Sequence, residues 1–322
     1  MSIAFLDRPG LAEALASHDR KEAEAGQFRA VTLSELFTMK LPVMKSLLHP
    51  ILHERQLGMV FGQRGAGKTF YAQGLAWAVS TGGSFLKYSA DTPAEVLMVD
   101  GEMPSSAIRT RFGQLALGDP RAIDREEARL HILAADMRPD PLPSLASKLG
   151  QRIVEDNLEG AKLLILDNVS TLFGSQVEND AEAWSPVQEW LLGLRRSGVA
   201  VVMVHHAGKG GEQRGTSRRE DILDLVVRLR VPSEHKPAEG CRIEVSYTKS
   251  RGLIGAAVEP FEAALTVDDS GAAVWSVCDL GDKRVEQIRG FLGLGMKAPE
   301  IAAELSISRA TAYRLVKEIS GG

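Results

Sequence analysis

Short apolar runs recur through the first part of the chain: "LGMVF" (57–61), "EVLMVD" (95–100), "RLHIL" (129–133), "KLLILD" (162–167) and "VAVVMVHH" (199–206). Runs this apolar suit strands covered on both faces, and most of the gaps between them leave room for a crossover helix. "FYAQGLAWAVS", directly after the first run and its loop, has a helical pattern. A doubly wound, mostly parallel α/β sheet is the expected core. Beyond about residue 223 the texture changes to "DLVVRLRV", "CRIEVSYTK", "AALTVDD" and "AAVWSV", which predict strands joined by turns and placed antiparallel at one sheet edge.

The last forty residues, "DKRVEQIRGFLGLGMKAPEIAAELSISRATAYRLVKEIS", predict three short helices. Val285, Ile288, Phe291 and Leu292 form one apolar stripe, and Ile301, Ala302 and Leu305 the next. At the other terminus, residues 1 to 30 are polar and Ala/Glu-rich. The expected organisation is an N-terminal extension (1–40), an α/β domain (41–278) and a small all-α domain (279–322).

Length and composition sharpen this outline. A chain of 322 residues, 44% hydrophobic and 25% charged, can bury one large α/β core with a small appendage. No apolar stretch approaches the ~20 residues of a membrane helix, and the N-terminus lacks the basic-then-apolar order of a signal peptide, so a cytoplasmic protein without membrane partners is expected. Cys241 and Cys278 are too few and too far apart for a disulfide framework or a zinc site; both are expected as buried thiols. A formal net charge of −4 argues against indiscriminate coating of nucleic acid and leaves room for local basic patches.

The chemistry begins at "GQRGAGKT" (62–69), between the first strand and its helix. Gly62, Gly65 and Gly67 let backbone N–H groups turn inward, and the helix aims its positive dipole end at the same point, which makes an anion cradle. Gln63, Arg64 and Ala66 complete the loop and Phe70 follows it. Lys68 would reach the β- and γ-phosphates of ATP, and Thr69 would offer its hydroxyl to Mg²⁺. Other candidates stand at strand ends, where doubly wound sheets bind ligands. Asp167 is placed to hold Mg²⁺ opposite Thr69. Asp100 and Glu102 offer a carboxylate to polarise the attacking water, unless they are ordinary loop charges. His205 or His206 could touch the γ-phosphate.

In this order the parts resemble the RecA-like ring ATPases, and within them the RepA-type plasmid replicative helicases, over roughly residues 40 to 260. The resemblance implies that Glu102 is the catalytic glutamate, Asp167 the Walker B aspartate, and His205 and His206 the sensors of the γ-phosphate. "YTKSRG" is similar to the family's K-x-R element, which implies that Lys249 and Arg251 reach into a neighbouring subunit's nucleotide site. A hexameric ring that hydrolyses ATP and moves on single-stranded DNA is implied with it.

"AGKGGEQRGTSRRE" carries Lys209, Arg214 and Arg218, which could follow a phosphate backbone by charge alone unless the loop is merely solvated, and Arg214 could equally serve the nucleotide site. The C-terminal helices look like a helix-turn-helix, similar to resolvase-type DNA-binding domains in "ISRATAYR". Arg309, Thr311, Tyr313, Arg314 and Lys317 would decorate its third helix toward duplex DNA, with Ser308 at the cap. Ser306 departs from the glycine common in the turn, and a protein-docking bundle is the alternative use of the same fold. Two functions compete: a DNA motor, and an ATP-switched initiator or regulator that binds DNA without unwinding it. A small-molecule kinase would have no use for the K-x-R element or the basic loop.

Overall fold

The computed structural model describes residues 30–121, 128–174, 181–207, 218–236, 239–305 and 307–320. The chain divides into two compact units between Val43 and Met44. In the first, α1 (Leu33–Thr38) closes its N-terminus with a capping box: the Thr32 hydroxyl accepts from the Glu35 N–H at 3.2 Å, and the Glu35 carboxylate accepts from the Thr32 N–H at 2.7 Å. Two donors that a helix start leaves unpaired are thereby satisfied.

The second unit is built on one sheet. Its strands in chain order are β1 (Ser46–Leu48), β2 (Leu52–His53), β3 (Leu57–Gly62), β4 (Ser84–Phe85), β5 (Tyr88–Ser89), β6 (Val96–Asp100), β7 (Leu130–Ala134), β8 (Leu163–Asp167), β9 (Ala200–His206), β10 (Leu225–Arg230), β11 (Cys241–Ser250), β12 (Phe261–Val267) and β13 (Ala273–Asp279). Two short hairpins, β1–β2 and β4–β5, stand apart; the other nine strands lie in the order β13-β12-β11-β10-β3-β9-β8-β6-β7. From β10 to β7 every pairing is parallel, and β11, β12 and β13 add an antiparallel meander. The expected mixed α/β architecture, a mostly parallel sheet with antiparallel strands at one edge, is the one the chain adopts, with one correction. β10 pairs parallel to β3, because the connection over 207–224 is long enough for the crossover that a parallel neighbour requires.

Each central strand is buried on both faces. In β3, Leu57, Met59 and Phe61 face one core and Val60 the other. The first face is covered by α6 (Ala181–Ser197) through Trp184, Val187, Leu191 and Leu194; the second by α2 (Lys68–Thr81) through Tyr71, Ala72 and Leu75. In chain order α3 (Ser105–Gly118), α4 (Lys148–Asp156) and α5 (Val169–Phe173) come between these two helices, and the four-residue α7 (Arg218–Asp221) follows α6. Cys241 is half-buried, whereas Cys278 is exposed, contrary to the expected buried thiol, because β13 is an edge strand with little covering it.

The chain ends in three helices, α8 (Leu280–Gly293), α9 (Ala298–Glu304) and α10 (Arg309–Ser320). Ile288, Ile301 and Ala312 are fully buried, and Ile307 packs on Ala298, Ala302 and Ala312. The side chain of Val285 and the whole of Ser306 lie outside the described residues. Among the described residues, no helix is long and apolar enough to cross a membrane.

Candidate active site

The loop from Gly62 to Thr69 turns between β3 and α2 with Gly65 and Gly67 at φ +78° and +71°, backbone that side-chain-bearing residues rarely adopt. A Cβ on Gly67 would also stand 2.6 Å from the Cys241 Sγ, and one on Gly62 2.5 Å from the Leu229 carbonyl. Gln63 and Arg64 are exposed and Ala66 is buried. Lys68, at 6% exposure, donates to the carbonyls of Gly62 at 3.1 Å and Gln63 at 2.8 Å. Burial holds its ammonium below the usual range, while Asp167 and Glu102 pull it back up.

Register assembles the carboxylates. Asp100 and Asp167 end adjacent parallel strands as direct partners, and His206 pairs with Gly62 across β9 and β3. Burial pushes the Asp167 carboxyl up to about 7, the Asp100 charge adds to the rise, and the Thr69 hydroxyl bonded to it opposes it. Asp100 is fully buried; its Oδ1 accepts from the N–H groups of Glu102 at 2.8 Å and Met103 at 2.7 Å, so it shapes the turn that carries Glu102. Burial raises its carboxyl too, against those two N–H groups. Glu102 projects with its side chain 57% exposed, and Asn168 Nδ2 donates to its Oε2. The same amide lies 3.3 Å from His206 Nε2, which is 3.8 Å from Glu102 Oε2. His205, the preceding residue of β9, is completely buried.

The donors fit a hard divalent cation. Asp167 Oδ2 and Asp100 Oδ2 have no hydrogen-bond partner among the described residues, and the Thr69 hydroxyl is already drawn to Asp167. Oxygen-only donors beside a phosphate loop suit Mg²⁺, with phosphates and water completing its shell.

Two contributors escape a reading by motif. Asn168 follows the strand end as an ordinary helix cap, its Oδ1 accepting from the Thr171 N–H at 3.2 Å, yet its amide also links Glu102 to His206. Arg111, in α3, lies 4.0 Å over the Phe70 ring, and burial lowers its guanidinium from the usual range. Arg111 and Phe70 line a cavity of about 640 Å³ with Thr110, Gln114, Cys241 and Thr266. The half-buried Cys241 that crowds Gly67 also borders this cavity, which therefore opens beside the phosphate loop.

Lys249 and Arg251 lie elsewhere. The Lys249 Nζ donates to the Glu220 carbonyl, and Arg251 Nη2 to the Asp221 carbonyl at 2.8 Å. Arg251 Nη1 stands 3.4 Å from Asp224 Oδ1, and its backbone N–H donates to the Asp224 carbonyl at 2.8 Å. Leu225 pairs with both Ser250 and Gly58, which puts this corner at the start of β3. The phosphate loop leaves the other end, at Gly62, so about 17 Å of strand separates the two.

Of the basic loop, Lys209 and Arg214 lie outside the described residues, as does the side chain of Arg218. On α10, Arg309, Tyr313, Arg314 and Lys317 are exposed, at a spacing that gathers them on one side of the helix. Thr311 is half-buried, and its N–H donates to the Ser308 hydroxyl at 3.1 Å.

The AAA domain family matches residues 22–212, more than half the chain. This protein belongs to that family. The matched AAA domain contains the phosphate loop, Glu102, Asp167, Asn168 and both histidines, and it ends ahead of Lys249, Arg251 and the three C-terminal helices. A solved KaiC-like protein from the hyperthermophilic archaeon Pyrococcus horikoshii OT3 is similar over 71% of this chain and 93% of its own, with 14% identity and a TM-score of 0.49.

Proposed function

We propose that this AAA-domain protein hydrolyses ATP in a ring of identical subunits that acts on DNA, as a replicative helicase of the RepA-like kind. The observation that carries the reading is the separation of Lys249 and Arg251 from their own phosphate loop. A cation pair fixed at the far end of β3 cannot serve the γ-phosphate bound by the same chain, and a head-to-tail neighbour gives it one to serve. Gly62–Thr69 would hold the phosphates, and the Arg111-lined cavity would take the nucleoside. Thr69 and Asp167 would hold Mg²⁺, which supplies positive charge against that building on the phosphates. Glu102, oriented by Asn168, would take the proton of the attacking water, and His206 would register the state of Glu102 through the shared amide. A hexameric ring passes single-stranded DNA along Lys209, Arg214 and Arg218, while the exposed side of α10 engages duplex DNA.

A second reading keeps the ATPase and the duplex contact but replaces the motor with a switch. It is favoured by the cationic face of α10, which a translocating ring does not itself require. ATP hydrolysis measured without DNA, with duplex and with single-stranded DNA tests the first reading: single strands stimulate a motor most. Strand displacement on a forked substrate then separates the two, since a switch leaves the fork paired. Hydrolysis indifferent to every DNA form would remove both.

A further inference from the structure

Asp224 sits between α7 and β10, at 6% exposure, and every one of its acceptors is engaged. Its Oδ2 accepts from the N–H of Leu57 at 3.0 Å, which ties it to the first residue of the strand that ends in the phosphate loop. Its Oδ1 accepts from Arg195 Nη2, at the end of α6, at 3.1 Å and lies 3.4 Å from Arg251 Nη1. Its carbonyl holds the Arg251 backbone. Three elements of the core therefore converge on one carboxylate, and the side chain it steers is 52% exposed.

We propose that Asp224 is the positioning residue that aims Arg251, and through it the charge offered to the neighbouring subunit; the proposal rests on the trans reading above. The physical argument is one of charge and direction. Arg195 and Arg251 are like charges drawn to the same carboxylate oxygen, and the negative charge on Asp224 offsets their repulsion there. With Nη1 on Asp224 and Nη2 on the Asp221 carbonyl, the Arg251 guanidinium is held at two points while its side chain stays half exposed and keeps further N–H donors. An arginine finger is worth its rate only when so placed, and misplacement by about 1 Å can cost on the order of 10²-fold. The lysine of the same element is fixed on the Glu220 carbonyl, so the segment from Glu220 to Asp224 holds both cations.

The test is a cycle of four proteins, wild type, Asp224→Asn, Arg251→Ala and the double variant, each assayed as the assembled full chain for kcat and for KM of ATP. Asparagine keeps the shape and the Leu57 acceptor and removes the charge. Asp224→Asn should lower kcat at least tenfold and leave KM within about twofold, and the double variant should match Arg251→Ala alone, because the carboxylate acts through that arginine. Arg195→Ala serves as a second probe that leaves the Asp224 charge to Arg251, and should keep kcat within twofold of wild type. The proposal is overturned if Asp224→Asn turns over like wild type while Arg251→Ala does not. It is also overturned if the loss in the double variant exceeds that of Arg251→Ala, or if Arg195→Ala is as damaging as Asp224→Asn, since either marks a structural role. Wild-type turnover in Arg251→Ala would instead bring down the trans reading, and this proposal with it.

Discussion

Arg251 and Lys68 lie at opposite ends of the sheet: the lysine follows the end of β3 at Gly62, and the arginine is bonded at the start of the same strand, where Asp224 also takes the Leu57 N–H. One chain therefore carries a phosphate site and a cation that cannot meet within it. Arg251→Ala should retain ATP affinity and lose most turnover, by about 10³-fold or more if the guanidinium stabilises charge on a neighbour's γ-phosphate. Nucleotide binding by equilibrium fluorescence beside steady-state hydrolysis would check it, and parallel loss of both would contradict it.

Glu102 meets Asn168 and His206 at the ends of three neighbouring strands. Glu102→Gln keeps an acceptor for the Asn168 amide and removes the proton-accepting charge. Bound ATP should persist while hydrolysis falls by about 10²-fold or more. Hydrolysis at the wild-type rate would reject Glu102 as the base. Asp100 would then be the next candidate, although its Oδ1 is already committed to the turn.

The buried Asp167 predicts a pH dependence in the nucleotide-free protein. Its carboxyl is raised from 3.8 to about 7, so between those values the folded state binds more protons than the unfolded one and stability falls as pH rises. Asp167→Asn removes that titration. The variant should gain on wild type from pH 5 to pH 8, by a few kcal/mol at most. Thermal melts of both proteins across that range, without Mg²⁺, would show it; a gap independent of pH would contradict it.

Much of this arrangement is legible in the sequence because strand ends concentrate chemistry. An apolar run followed by a glycine-rich loop and a lysine, or by Asp167, states its place before any packing is known. What escapes is set by contacts remote along the chain. Asn168 reads as a helix cap, and Arg111 as one more charge on a helix, until β9 and the Phe70 ring are brought against them. Asp224 looks like a loop charge and is buried because Leu57 and Arg195, far apart in sequence, both need it. The direction of β10 was hidden for the same reason, since its apolar pattern is indifferent to whether its neighbour runs parallel. The Thr32–Glu35 capping box was written in the sequence, yet the helix it starts is only six residues long, too short for a periodic pattern to declare it.

The C-terminal helices give a prediction independent of the ATPase. Removing residues 280–322 should abolish preferential binding to a duplex site and leave basal hydrolysis nearly intact. Arg309→Ala and Arg314→Ala should each weaken duplex binding, by about 1–3 kcal/mol in a sequence-dependent way for a base contact, or uniformly across sequences for a phosphate contact. Fluorescence anisotropy with labelled duplexes of varied sequence distinguishes these. Unchanged duplex binding after truncation would assign the helices to protein docking.

The proposed active site is completed by a second copy of the chain. Its most direct test mixes Arg251→Ala with Lys68→Ala subunits, each inactive alone, and measures ATP hydrolysis in assemblies shown by size to contain both. Some interfaces in a mixed ring would pair an intact phosphate loop with an intact arginine, and activity should return in proportion to them. Mixed assemblies that stay inactive, or Arg251→Ala monomers that hydrolyse ATP at the wild-type rate, would contradict it.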